Sequence, residues 1–211
     1  MRRVPALPLL AAALLLAAGC TAGQVRRVPL QIKFTGAEDA APVRSPLRTV
    51  AIGIFHDARG KRASGPVGER VRFNGNLDQY TLAGGLPADI AALVRGYYKK
   101  RGVRILPSKW DGQAERIWDE KGDIVVSGRV TNLWFSGRDS ITLAQAQSNF
   151  RIELRVGSPQ TGTIITKTIQ IEPERTRTFY WKTKAVEAWL SRTISEAIES
   201  VMPGIERRLV G

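Results

Sequence analysis

The sequence predicts an α+β fold: one mixed, mostly antiparallel sheet of five to six strands with two amphipathic helices on one face. The expected element order is β-β-α-β-β-β-β-α. Three observations predict it. Several short segments alternate apolar and polar residues with a period of two, as a half-buried strand requires. Two longer segments carry apolar stripes at helical spacing, and each can bury that stripe against a sheet. The chain is 43% hydrophobic and 24% charged over 211 residues, an ordinary globular composition rather than a disordered one.

The chain begins with a basic pair, Arg2 and Arg3, followed by an apolar run from Val4 to Ala18. Fifteen residues in a helix rise about 22 Å, short of a ~30 Å hydrocarbon core, and Pro5 and Pro8 interrupt the run. A removable export signal over residues 1–19 is therefore expected, not a membrane span. Residues 20–27 read as a tether, and 28–211 as one domain.

Val28, Leu30, Ile32 and Phe34 alternate with polar neighbours, which predicts a strand whose Pro29 belongs at its start or on a sheet edge. Residues 36–46 read as loop. Arg48 to Phe55 is a stronger strand, with Val50, Ile52 and Ile54 on one face and Ala51, Gly53 and Phe55 on the other. The small residues of that second face suggest a closely packed helix. His56 to Gly85 reads as a long polar loop, the kind that is either mobile or functional.

Leu86 to Arg101 is the first helix: Pro87 suits its first turn, and Leu86, Ile90, Leu93, Val94 and Tyr97 form its stripe. Gly102 is a natural stop, and Val103 to Leu106 a short returning strand, parallel to the strand before the helix. Trp110 to Lys121 is ambiguous, with a short helical turn around Ile117 and Trp118 as one reading. Asp123 to Phe135 and Phe150 to Val156 are strands, with a turn or hairpin extension between them. Thr163 to Ile171 follows through a hairpin signal at residues 158–162. Thr183 to Val201 is the second helix, ended by Pro203-Gly204, with a frayed helical turn from Ile205 to Val210 as an addition.

The exported segment ends Leu16-Ala17-Ala18-Gly19-Cys20, which resembles the lipobox of bacterial lipoproteins. Cys20 is the only cysteine in the chain, and it sits where acylation needs a thiol. The alternative is an ordinary secreted protein cut after a small residue such as Ala22. Thr21 is not the aspartate that commonly retains such proteins in the inner membrane, so the resemblance implies the periplasmic face of the outer membrane, with the inner membrane as the alternative. The strand and turn Val50-Ala51-Ile52-Gly53-Ile54-Phe55-His56-Asp57-Ala58-Arg59 extend the likeness. So do Val67-Gly68, the helix running into Gly102-Val103, and Val126-Ser127-Gly128-Arg129-Val130-Thr131-Asn132-Leu133. Together these resemble the YajG-type family of outer-membrane lipoproteins. The resemblance implies a periplasmic α/β domain and hands over no catalytic residues.

One cysteine leaves no intrachain disulfide, and with one histidine it leaves no site of several His and Cys ligands. No cofactor and no metal are expected. Asp57 and Arg59 leave a strand end together and form a candidate binding turn. The plainer reading is an aspartate accepting turn amides beside an arginine. His56 as a general base has no partner tied to it by motif.

The formal charge is +13, and basic residues gather in three segments. These supply a candidate basic surface: Lys61, Arg62, Arg70 and Arg72; Lys99 and Lys100; and Arg175, Arg177, Lys182 and Lys184. Phe179, Tyr180 and Trp181 interleave the last group. Export argues against nucleic acid and for anionic envelope material such as lipopolysaccharide, phospholipid headgroups or cell-wall polymer. A generally basic surface from an arginine-rich genome is the competing explanation.

Three functions follow. The first is a non-enzymatic, membrane-anchored lipoprotein that binds a partner protein or an anionic envelope polymer. The second is an auxiliary lipoprotein of lipid or lipopolysaccharide transport, which asks for an apolar groove, or an activator of cell-wall synthesis. The third is a hydrolase of unfamiliar design, which asks for polar groups converging near Asp57.

Overall fold

The computed structural model describes residues 23–36, 46–140, 144–171, 175–178 and 182–210, with backbone alone at 144 and 175–178. Cys20 and its flanking leader lie outside the described residues, as do Phe179, Tyr180 and Trp181.

The strands are β1 (Val25–Leu30), β2 (Thr49–Asp57), β3 (Gly68–Val71), β4 (Leu77–Leu82), β5 (Arg104–Pro107), β6 (Ile124–Asp139), β7 (Ala144–Gly157), β8 (Ile164–Ile171) and β9 (Arg175–Thr178). The helices are α1 (Leu86–Lys100), between β4 and β5, and α2 (Thr183–Val210), after β9. Among the described residues all nine strands belong to one mixed sheet, and both helices pack into its main core.

The long strand β6 is the spine. One of its edges is shared, β2 running parallel along its first half and β3 parallel along its second. Its other edge pairs antiparallel with β7 along nearly its whole length. Beyond β2 lies β5, parallel to β2 as expected; beyond β3 lie β4 and then β1. The outer edge of β7 is split the same way, between β8 and β9. Pro29 falls on β1, a terminal strand, where a missing N–H costs the ladder nothing.

The fold class stands, with more strands than expected. The polar stretch between β2 and α1 holds a hairpin, β3–β4, and a short 3₁₀ turn at Gly60–Arg62. Its buried face carries Arg70 and Asp78 beside Tyr80 and Leu82, so no apolar alternation marks it.

The two faces of β2 also differ from expectation. Val50 and Ile52 point into the main core, but the register against β6 shifts between Ile52 and Phe55. That bulge reverses the alternation, putting Phe55 into the main core and leaving Ile54 exposed. The small-residue face, Ala51 and Gly53, is covered not by a long helix but by Trp110 and a 3₁₀ turn at Ala114–Asp119. There Trp110, Ile117, Ala51 and Val125 form a second, smaller core. The Ile54 amide donates to the Trp110 carbonyl at 2.8 Å, and a Cβ on Gly53 would strike that same oxygen.

Helix α1 buries the expected stripe and also Tyr98. Gly102 ends it at φ +72°, a conformation that favours glycine. Helix α2 does not stop at Pro203; it continues to Val210. An interior proline costs a helix about 3 kcal/mol. Burial of Ile205 and Leu209 beyond it offsets that, at about 1.5–3 kcal/mol for each large apolar side chain.

Residues 31–35 run along α2. The amides of Gln31, Lys33 and Thr35 donate to Glu187 Oε1 (2.7 Å), Ser191 Oγ (3.1 Å) and Ser195 Oγ (3.0 Å). The match is geometric: two extended residues advance about 6.7 Å and four helical ones about 6 Å.

Candidate functional site: a cationic cleft at the β3–β4 tip

Two charged clusters build the end of the sheet where β3 meets β4. Asp78 of β4 is almost fully buried and accepts from Arg26 Nε (3.0 Å) and Arg72 Nε (2.7 Å). One strand over, Arg70 forks onto Asp139, with Nε–Oδ1 at 2.9 Å and Nη2–Oδ2 at 2.6 Å. Burial works against the Arg70 charge. The Asp139 carboxylate and the Tyr80 hydroxyl more than offset it, so the guanidinium is held protonated more firmly than usual. Arg70 is therefore not a surface residue, a correction to its place in the candidate basic surface; its charge is spent on Asp139.

Above these pairs lies an open cleft of about 370 Å³, lined by Arg70, Arg72, Phe73, Asn74, Asp139, Lys182 and Thr183. The hairpin supplies one wall and the start of α2 the other. Two basic segments far apart in sequence thus meet here, through Arg72 and Lys182. Phe73, at the tip, is 69% exposed. Arg175 and Arg177 lie on β9, in register with Gln147 and Gln145 of β7; only their backbone is described. Lys184 is exposed in the first turn of α2.

The third segment does not join them. Lys99 and Lys100 are exposed at the end of α1, whose last turn packs beside Glu206 near the far end of α2. The helical rise between Thr183 and Glu206 separates the two regions by roughly 35 Å. Lys61 and Arg62 are exposed in the 3₁₀ turn after β2, where the Arg62 guanidinium sits 4.1 Å above the Trp134 ring.

Asp57 and Arg59 form a tight clamp. Arg59 Nε and Nη2 reach Asp57 Oδ1 (2.9 Å) and Oδ2 (2.8 Å), and the terminal nitrogens also donate to the carbonyls of Gly65 (3.2 Å) and Pro66 (2.9 Å). The Ser64 and Arg59 amides add two donors to the carboxylate. The Arg59 hydrogen bonds, above all, hold the Asp57 carboxyl below the usual carboxylate range, against the desolvation that would raise it. The Arg59 side chain is almost fully buried. What the pair does in this structure is fix the loop between β2 and β3.

A second cleft, about 430 Å³, opens on the sheet face away from the helices, lined by His56, Asp57, Ala58, Asp111, Gln113, Arg129 and Arg155. His56 stands beside Arg129 in the β2–β6 register, and Arg129 beside Glu153 in the β6–β7 register. The Asp57 carboxylate here is committed to Arg59 and Ser64, which leaves it poorly placed to serve as a base. A third groove, about 570 Å³ between β8 and α2, mixes Ile171 and Ala197 with Arg192 and Glu196, so it is amphipathic rather than apolar. Among the described residues no group of three His, Cys, Asp or Glu is placed to hold a metal ion. No described helix is long and apolar enough to cross a membrane.

Phe73, Asp78 and Asp139 are among the site residues that sequence reasoning missed. The available signal was Asn74-Gly75, a turn dipeptide between the basic run and Leu77, which marks a hairpin tip.

No family model and no curated protein matches the sequence. Among solved structures, a Xanthomonas campestris protein of the DUF330 family aligns at a TM-score of 0.45 and 12% identity, covering 83% of this chain and 92% of that one. A neuraminyllactose-binding hemagglutinin homolog from Helicobacter pylori aligns at 0.38 and 12% identity, covering 86% and 92%. Lipoprotein GNA1162 from Neisseria meningitidis aligns at 0.35 and 9% identity, covering 72% and 98%. With each of these TM-scores under 0.5, the likenesses do not bear on what the chain does.

Proposed function

We propose that this chain is a lipid-anchored envelope protein, held through an acylated Cys20 at the periplasmic face of the outer membrane. Its domain binds anionic envelope material and performs no catalysis. The lipobox-like Leu16-Ala17-Ala18-Gly19-Cys20 supports the anchor, and with it the resemblance to YajG-type lipoproteins. The observation that carries the binding role is the cleft that brings Arg72 and Lys182 together from separate basic segments. Of the two occupants considered, a partner protein or an anionic polymer or headgroup, a cation-lined open cleft favours the anion.

The test has two parts. Intact mass of the protein purified from membranes should carry the acyl chains on a chain beginning at Cys20. The same protein should bind lipopolysaccharide or phosphatidylglycerol at low salt and release it as salt rises. A Lys182→Glu variant should bind more weakly. An unmodified thiol removes the anchor; salt-independent or absent binding removes the anionic partner.

A further inference from the structure

We infer that the β3–β4 tip is the membrane-contacting face of the domain, with Phe73 seated among the headgroups of the bilayer that holds Cys20. The inference rests on the anchoring reading above and names its anionic partner: the lipid surface itself.

The first argument is reach. Gly23, the first described residue, is three residues after Cys20, and three residues span at most about 11 Å. Gly23 is therefore within that distance of an acylated Cys20, and what it touches is only a contact farther. It touches the hairpin tip. A Cβ on Gly23 would strike the Gly75 carbonyl. The Gln24 amide donates to Asn76 Oδ1 at 3.1 Å, and the Leu77 amide to the Gln24 carbonyl at 2.9 Å. The parallel pairing of β1 with β4 then starts at once, Val25 against Leu77. The chain leaves the anchor and is fastened directly to the turn between β3 and β4.

The second argument is what that end displays. Phe73 and Val25, 69% and 59% exposed, both lie there, and an apolar side chain at a water–lipid boundary loses contact with water. Around them stand Arg26, Arg72 and Lys182, with Arg138 in register with Val71; Arg27 lies farther along β1, level with Glu69, and the nearer acids Asp78 and Asp139 are tied into ion pairs. An apolar tip inside a cationic collar matches an anionic bilayer surface. The opposite end of the sheet offers a contrast. Trp118 is 62% exposed there, beside Gly162 in the β7–β8 turn, and β6 spans roughly 50 Å between the two ends.

The test uses the acylated full-length protein in vesicles of phosphatidylethanolamine and phosphatidylglycerol. Cys20 is the only native cysteine, so with its sulfur acylated a cysteine introduced by Phe73→Cys is the only free thiol. An environment-sensitive fluorophore is attached there, and at Trp118→Cys in a second preparation. The label at 73 should shift to the blue and lose most of its intensity to nitroxide-headgroup lipids, while the label at 118 stays as in water. Asn74→Cys, on the same tip, repeats the measurement should the Phe73 variant fold poorly. Acylated protein whose tip labels are as water-exposed as the one at 118 overturns the inference and leaves the anchor standing. Protein with no acyl group on Cys20 overturns both.

Discussion

The Tyr97 hydroxyl donates to Glu206 Oε1 across 3.1 Å, joining the last turn of α1 to the last turns of α2 through a carboxylate almost wholly removed from water. Arg101 Nη2 approaches the other oxygen of the same carboxylate at 3.5 Å. Tyr97→Phe removes a donor from a buried acceptor, so the variant should be less stable by about 1–3 kcal/mol. Burial, reinforced by the Glu206 charge, pushes both Tyr97 and Tyr98 well above the ordinary tyrosine value of 10.0. The sign follows from linkage: the folded protein holds these phenols protonated while the unfolded chain ionises. Their contribution to stability is thus fully present below about pH 10 and is lost as the pH climbs past it. Urea melts at about pH 8 and about pH 11 should show the decline in the parent and a smaller one in Tyr98→Phe.

Arg59→Lys keeps the charge and loses the fork. One ammonium cannot meet both oxygens of Asp57 and the carbonyls of Gly65 and Pro66 together, so a loss of about 2–3 kcal/mol is expected. Asp57 has a folded pKa depressed below its ordinary 3.8. Its contribution is present above that value and lost as pH falls through the lower folded one. Urea midpoints measured down the acid range should fall more steeply in the parent than in the variant. Parallel profiles would show that the clamp has no such role.

Gly53→Ala places a methyl group against the Trp110 carbonyl, a backbone atom already engaged by the Ile54 amide. Neither partner can swing aside, so a loss of roughly 1–3 kcal/mol is expected. The near-ultraviolet dichroism should change with it, since Trp110 is fully buried beside that contact. A variant as stable as its parent would mean the second core is looser than described.

Ser191→Ala and Ser195→Ala each remove an acceptor from the backbone of residues 33 and 35. Each should cost about 1 kcal/mol. Hydrogen exchange should accelerate at the Lys33 and Thr35 amides and stay unchanged on β7. Unaltered exchange at both amides would contradict the ladder between this segment and α2.

Apolar periodicity made much of this fold legible. The α1 stripe from Leu86 to Tyr97 and the β7 alternation from Phe150 to Val156 follow from it, and the parallel placement of β5 beside β2 follows from the helical crossover between them. It fails where a buried face is polar. The β3–β4 hairpin buries Arg70 and Asp78, whose charges are tolerable only because Asp139, Arg26 and Arg72 meet them; of those partners Asp139 and Arg26 are distant in sequence. It fails at the β2 bulge, which turns Phe55 inward without any local mark. Pro203 misleads for a related reason: packing of Ile205 and Leu209 outweighs a local rule. Of the candidate basic surface, Arg72 and Lys182 reach one cleft, whereas Lys99 and Lys100 stand at the other end of the molecule. Charge runs show which residues are basic and not which of them become neighbours.

The ladder between residues 31–35 and α2 has a consequence for biogenesis. A chain threaded across a membrane from its amino terminus delivers this segment among the first and its hydrogen-bond acceptors at 187, 191 and 195 among the last. This segment must wait, unclosed, until those acceptors emerge. A nascent chain stalled before those acceptors emerge would leave it open to proteases and chaperones.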